Sequence, residues 1–178
     1  MRVLDAGCGS GRHPVSLLRA WTVEFADDGD AHAVEAVRRL AAQLAPRLPM
    51  ENFRVEPVDA MTFPDAFADV VVSSAVLHFA RDDAQFAAML QDMWRVLRPG
   101  GLFFCRLAST IGMEARMRRM TGRRFVLPDG SERYCVDEAM LLDFTVRLGG
   151  DLLDPLKTTI VQDQRCMTTW VVRKAARP

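Results

Sequence analysis

Residues 1–13 read MRVLDAGCGSGRH. A short apolar run ends in Asp5, and Gly7, Gly9 and Gly11 follow at two-residue spacing. Glycine in a strand-to-helix turn lets the backbone approach a ligand closely, because no Cβ intervenes. Successive N–H groups at the start of the following helix can then meet a carboxylate or phosphate. In a doubly wound sheet, ligands bind at the carboxyl ends of the strands where the topology switches, and the first strand normally lies at that switch. A tight turn with no ligand needs fewer glycines, so the stretch predicts a nucleotide-type cradle after a first strand.

The rest of the chain alternates strand and helix signals. Residues 22–26 (TVEFA) read as a second strand, and residues 13–20 as a helix that tolerates Pro14 in its first turn. Residues 31–45 place Val34, Val37, Ala41 and Leu44 on one helical face, with Asp30 as N-cap and Pro46 limiting the far end. FRVEPV (53–58) is a third strand, near an edge because it carries Pro57. ADVVVSSAVL (68–77) is a fourth, apolar enough for burial on both faces. The next helix, capped by Asp82 or Asp83, carries the stripe Phe86, Met89, Leu90, Met93, Val96 and Leu97 and stops at Pro99-Gly100-Gly101. LFFCRLA (102–108) is a fifth strand. FVLPDGSERYCV (125–136) reads as a hairpin around Asp129-Gly130, residues 137–150 as a last helix, and the tail as two strands joined at QDQR (162–165). The expected fold is α/β: a doubly wound, mostly parallel seven-stranded sheet with an antiparallel C-terminal pair and helices on both faces. The expected organisation is one domain over residues 1–178 with an insert at roughly 109–136.

Composition limits the function. Twenty-three basic and 23 acidic residues leave zero formal net charge, so no global field favours nucleic acid or a membrane surface. No segment is apolar and long enough to span a bilayer, and no signal peptide is evident, which gives a cytoplasmic expectation. Cys8, Cys105, Cys135 and Cys166 are far apart, and with His13, His32 and His78 they form no metal-ligand spacing, so packed free thiols and no metal are expected.

VLDAGCGSG (3–11) matches hydrophobic-Asp-x-Gly-x-Gly-x-Gly, and in this the chain resembles the class I S-adenosylmethionine-dependent methyltransferases. PVDAMTFP (57–64), FADVVVSSAVLHF (67–79) and WRVLRPGGLFF (94–104) resemble that family's later segments in order, so the likeness covers most of residues 2–106. The resemblance implies a Rossmann-like fold, S-adenosylmethionine as cofactor and methyl transfer to a small-molecule acceptor. It implies that Asp5 meets the ligand's amino group and that Gly7, Cys8 and Gly9 admit its methionine end. Asp59, Ala60 and Met61 would flank the adenine, and Ser73 and Ser74 would line the gap beside the sulfonium. The ribose hydroxyls require a carboxylate after the second strand. Counting from the strand favours Asp27; counting back from Asp30, and the family's usual distance from Asp5, favour Asp28. His78 is the candidate general base, its alternative being a hydrogen-bonded, half-buried histidine. His13 is a further polar residue at a helix start.

Two readings from other classes stand beside this one. One is a non-catalytic S-adenosylmethionine-binding or partner-binding module on the same fold. The other is an NAD-dependent oxidoreductase, disfavoured by the G-x-G-x-G spacing. The chain departs from the family pattern in having only Met1 and Arg2 before the first motif, and in placing Trp21 where a small residue usually opens the second strand. An open site with weak cofactor affinity is the corresponding expectation. IGMEARMRRMTGRRF (111–125) brings Arg116, Arg118, Arg119, Arg123 and Arg124 together, with Met113, Met117 and Met120 between them and only Glu114 opposing. With Arg106, Arg118 and Arg119 as substrate-binding residues, this segment predicts an anionic acceptor. The alternative is a solvated basic loop.

Overall fold

A computed structural model describes residues 1–9 and 23–176, and only the backbone of Val23 and Glu24. The expected helix over 13–20, with Gly11, His13 and Trp21, lies outside the described residues. The parallel strands are β1 (Arg2–Ala6), β2 (Val23–Asp28), β3 (Phe53–Val55), β4 (Ala68–Ser74) and β5 (Leu97–Ala108). The antiparallel strands of the main sheet are β9 (Gly150–Leu152), β10 (Lys157–Val161) and β11 (Arg165–Lys174). The order across the sheet is β10-β11-β5-β4-β1-β2-β3. Seven positions are filled, as the alternation predicts, but the outermost one holds two strands: β9 and β10 both pair with β11, at opposite ends of it.

Register explains the layering. Phe25, Leu4, Val71, Phe103 and Val172 stand side by side across five strands. This row packs against α2 (Asp83–Val96) and α3 (Glu138–Arg147) through Phe86, Leu90, Met93, Leu141 and Phe144. The next row, shifted by one residue, faces the other way. There Ala26 and Phe53 meet Val34, Val37 and Ala41 of α1 (Ala31–Leu44). Helices therefore cover both faces. Val70, Val72 and Ser74 are only half-buried, so β4 is not sealed on its second face as its apolar sequence suggests.

The caps follow the sequence. Asp30, Asp82 and Asp137 each accept a backbone N–H in the first turn of the helix they precede, from His32, Gln85 and Met140. At the end of α2 the chain enters β5 directly. Pro99-Gly100-Gly101 lies within β5 as an irregularity between the pairings Ala68–Leu97 and Val70–Leu102, so the fifth strand starts earlier than expected. The Lys174 ammonium donates to the carbonyls of Trp94 and Leu97 at 2.6 and 2.7 Å, which satisfies two groups at that helix end. Residues 109–136 carry a separate antiparallel sheet of β6 (Arg118–Arg119), β7 (Arg124–Val126) and β8 (Glu132–Tyr134). Met113, Met117, Phe125, Leu127 and Cys135 bury themselves there against Ala108, Cys166 and Met167.

Candidate functional site

A cleft of about 740 Å³ opens at the carboxyl edge of β2, β1, β4 and β5. Its floor is the turn after β1, where Gly7 and Gly9 both have positive φ, 76° and 53°. The Gly7 and Cys8 N–H groups donate to the Asp27 carbonyl, which fixes the turn to the end of β2. A Cβ on Gly7 would lie 2.6 and 2.7 Å from the two γ-carbons of Val76, so no side chain fits there. Among the described residues, a Cβ on Gly9 would meet nothing within 4 Å, and Gly9 lines the cleft.

Strand parity separates the two aspartates at the end of β2. Asp27 pairs with Ala6 and shares the inner row with Phe25, facing α2. It is fully buried, and neither carboxylate oxygen has a partner among the described residues. Burial, with Glu56, Asp5, Asp28 and Asp92 nearby, pushes its carboxyl well above the usual range. Asp28 faces the cleft. Its Oδ2 accepts from Gly9 N–H and its Oδ1 from Asp30 N–H, both at 2.9 Å, so the carboxylate is held at the rim by two backbone donors. Asp5 is also buried, with Oδ2 unpartnered among the described residues. Burial, then the Asp28 charge, raises its carboxyl to about 7.

The remaining sequence candidates divide. Gly7, Cys8, Gly9, Ser74 and Arg106 line the cleft. Ser73 is buried beneath, paired in register with Cys105. Met61 is core, Ala60 is exposed, and Asp59 accepts from the Gln85 amide at 3.2 Å. From that loop it is Val58 that reaches the cleft. The loop is pinned to α2: Asp92 accepts from Met61 N–H at 2.6 Å, and Arg95 bonds Asp92, Asp65 and the carbonyls of Met61 and Phe63.

His78 does not line the cleft. It sits in a 3-10 turn (Leu77–Phe79), 5% exposed, with Nδ1 accepting from Ala108 N–H at 3.3 Å. Burial, then Arg133 and Arg106, lowers its pKa to about 4. The ring is therefore neutral at pH 7 and carries its proton on Nε2, which makes it a donor and corrects its reading as a base in the cleft. Arg118 and Arg119 are exposed on β6, Arg119 over the Phe125 ring, and neither reaches the cleft. Arg116 pairs with Asp163, Arg123 with Asp137 and Arg124 with Glu132. The basic segment is thus largely neutralised by acids from elsewhere. The Arg124–Val126/Glu132–Tyr134 hairpin stands behind the cleft wall, bonded to the Ala80 carbonyl through Arg124. Sequence reasoning did not find Val58, Ala75, Val76, Phe79, Met89 or Phe104 as cleft residues. The detectable signal for one of them was parity: Phe104 shares a face of β5 with Arg106, as Val72 and Ser74 share one of β4.

A sequence model described as a methyltransferase domain matches residues 4–105. The chain belongs to the methyltransferase domain family. A probable S-adenosylmethionine-dependent methyltransferase of Mycolicibacterium smegmatis is 35% identical over 101 residues, 57% of this chain and 35% of that protein. A ubiquinone biosynthesis O-methyltransferase of Methylocella silvestris is 31% identical over 104 residues, 58% of this chain and 38% of that one. The matched stretch thus spans little more than a third of either relative. Among solved structures, an S-adenosylmethionine-dependent methyltransferase of Methanosarcina mazei superposes with a TM-score of 0.82 at 18% identity, covering 99% of this chain and 93% of its own. A Burkholderia thailandensis 1,6-didemethyltoxoflavin-N1-methyltransferase, solved with 1,6-didemethyltoxoflavin and S-adenosylhomocysteine, superposes with 0.75 at 20% identity, covering 98% and 71%. The fold is that of S-adenosylmethionine-dependent methyltransferases. The residues present suit that cofactor: bare glycine backbone opens the cleft, Asp28 offers a carboxylate at its rim, and the buried Asp5 carboxyl lies just before the turn. No cluster of acids, cysteines and histidines among the described residues forms a metal site. No described helix is long and apolar enough to cross a membrane.

Proposed function

We propose that this protein transfers a methyl group from S-adenosylmethionine to a small-molecule acceptor. The observation that carries the reading is the Gly7–Gly9 turn opening onto a cleft whose rim holds Asp28, with the buried carboxylate of Asp5 two residues before the turn. Asp28 takes the ribose hydroxyls, with Gly9 N–H fixing its orientation. Asp5 holds the ligand's ammonium, and the bare Gly7 and Gly9 backbone lets the methionine end settle. Val58 and Met89 supply apolar wall for the adenine, with Asp59 beside Val58 as acceptor for its exocyclic amine.

The cofactor, when bound, supplies a methyl carbon on a positively charged sulfur that leaves as a neutral thioether. The acceptor's lone pair forms the new bond to that carbon while the electron pair of the carbon–sulfur bond passes to sulfur. The protein's part is alignment and exclusion of water. Among the described cleft residues the ionisable side chains are Cys8, Asp28 and Arg106. Burial, then Asp5, pushes the Cys8 thiol far up, and Asp28 is held by two N–H groups, so neither is placed as a base. With no base placed among these residues, the proposed acceptor brings its own lone pair, and any proton it carries leaves to bulk solvent with the methylated product.

Calorimetry with S-adenosylmethionine, S-adenosylhomocysteine and NAD in parallel tests the proposal. The first two should compete for one site and NAD should bind much more weakly. NAD binding as tight as theirs would overturn it. Methyl-acceptor screening then separates an enzyme from a binding module on the same fold.

A further inference from the structure

The cleft has a second end. Asp28 closes it at β2, and Arg106 closes it at β5, with β1 and β4 between. Three interstrand steps of about 4.8 Å put the two strand ends roughly 14 Å apart. Across that span the lining changes from acids and bare backbone to Ser74, Phe79, Phe104 and Arg106.

Arg106 differs from the other arginines nearby. Arg116, Arg123 and Arg124 each face an acid, whereas no ion pair or side-chain hydrogen bond of Arg106 occurs among the described residues. Its backbone is fixed, since its carbonyl accepts from Ala75 N–H at 2.8 Å and it pairs with Ser74 on one side and Thr169 on the other. The residue is half-buried, so its guanidinium has lost part of its water without gaining a counter-ion. Phe104, two residues earlier, presents its ring on the same face. Phe79 is 58% exposed although it borders the cleft, and Arg133 lies over its ring, 4.9 Å from the centroid. The neighbouring His78 is held neutral by burial and then by the Arg133 and Arg106 charges, so both arginines bring positive charge to this end.

We infer that this end is the acceptor subsite, and that it takes a planar, aromatic compound bearing a carboxylate, phosphate or other anionic group. The anion engages the Arg106 guanidinium, whose planar fork suits two parallel hydrogen bonds. The ring packs between Phe79 and Phe104. The acid end of the cleft repels the same anion, so the compound enters in one orientation, with its body towards Ser74 and the sulfonium position. The inference rests on the methyltransferase reading for its cofactor but not for its anion preference, which Arg106 alone would confer. Of the three arginines expected to bind the acceptor, Arg106 lines the cleft, whereas Arg118 and Arg119 lie on β6 outside it.

The test is a ligand-observed NMR titration of the protein saturated with S-adenosylhomocysteine. The probes are benzoate, 4-hydroxybenzoate and phenyl phosphate, against benzamide, 4-hydroxybenzamide and phenol. The anions should bind at least tenfold more tightly than their neutral partners. Arg106→Gln should abolish that preference, leaving the neutral affinities, the S-adenosylhomocysteine affinity and the melting temperature in place. Phe79→Ala should weaken anionic and neutral aromatics alike, and Arg118→Ala/Arg119→Ala should change nothing. Neutral compounds binding as well as anions, an Arg106→Gln protein that keeps the preference, or no anion binding to the loaded protein would each overturn the inference. Failure of S-adenosylhomocysteine to bind would instead overturn the cofactor assignment, and the same titration without it would still measure the anion preference.

Discussion

Replacing Asp5 by asparagine tests the electrostatics beneath the glycine turn. Asp5 is 1% exposed, its Oδ2 has no partner among the described residues, and its carboxyl is raised from 3.8 to about 7 by burial and by Asp28. The folded protein therefore holds a proton on Asp5 over a pH range where the unfolded chain has released it. Stability from this group is fully present below pH 4, declines as pH rises, and is lost above about 7. A shift of about 3 units corresponds to roughly 4 kcal/mol across that window. An asparagine side chain does not titrate, so the Asp5→Asn protein should gain on wild type by up to about 4 kcal/mol between pH 4 and pH 8, and no further above pH 8. In melting temperature this is on the order of 10 °C for a chain of this size. Any cost of leaving the new amide unpartnered is the same at every pH, so the quantity to measure is the slope of the difference. Urea unfolding of both proteins at pH 4, 6 and 8 supplies it. A stability difference that does not change with pH would refute the reasoning, since it would place the Asp5 titration at its ordinary value. The same group predicts proton release on cofactor binding. Affinity for S-adenosylmethionine should rise with pH up to about 7 and then level off, and Asp5→Asn should flatten that rise while weakening binding at pH 8.

Gly7→Ala combines a left-handed backbone with a Cβ 2.6 Å from Val76; it should destabilise by about 3 kcal/mol in urea unfolding, and adding Val76→Ala should recover only the overpacking part. Asp28→Ala should weaken S-adenosylmethionine by roughly 1.5–3 kcal/mol in calorimetry, and Asp27→Ala by less, because only Asp28 faces the cleft; the reverse order would mean that the inward row of β2 carries the ribose contact. Arg95→Met removes the bonds to Asp92, Asp65 and two carbonyls of the loop before β4, and should cost about 2 kcal/mol of stability and loosen cofactor binding through Val58. Unchanged affinity in that variant would separate the loop from the site.

What could be read from the sequence is what local chemistry decides. The turn at Gly7 and Gly9, the cap at Asp30, the cap at Asp82 (one of the two offered) and the stripe from Phe86 to Val96 depend on residues within a turn of one another, and these stand in the structure as the spacing implies. The contacts that assign roles in the cleft are long-range. Counting favours Asp28 over Asp27 only narrowly, because an error of one residue reverses the face of a strand, and the pairing of Ala6 with Asp27 sets the parity of the two. His78 lay at the right distance past β4 for a base, but its Nδ1 is taken by Ala108, thirty residues away, which depends on the course of β5. The arginine-rich segment looked like one cationic surface because its partners Asp163, Asp137 and Glu132 follow it at distances that no local pattern reports. Removing those neutralised charges isolates Arg106. Its strand is paired on both sides, so its backbone cannot move to find an acid, and the adjoining positions on its face are Phe104, Ser74 and Thr169, none of which is ionised at pH 7. A half-buried guanidinium held in that setting has no ion pair or side-chain hydrogen bond among the described residues, and on this observation the proposed anion preference rests.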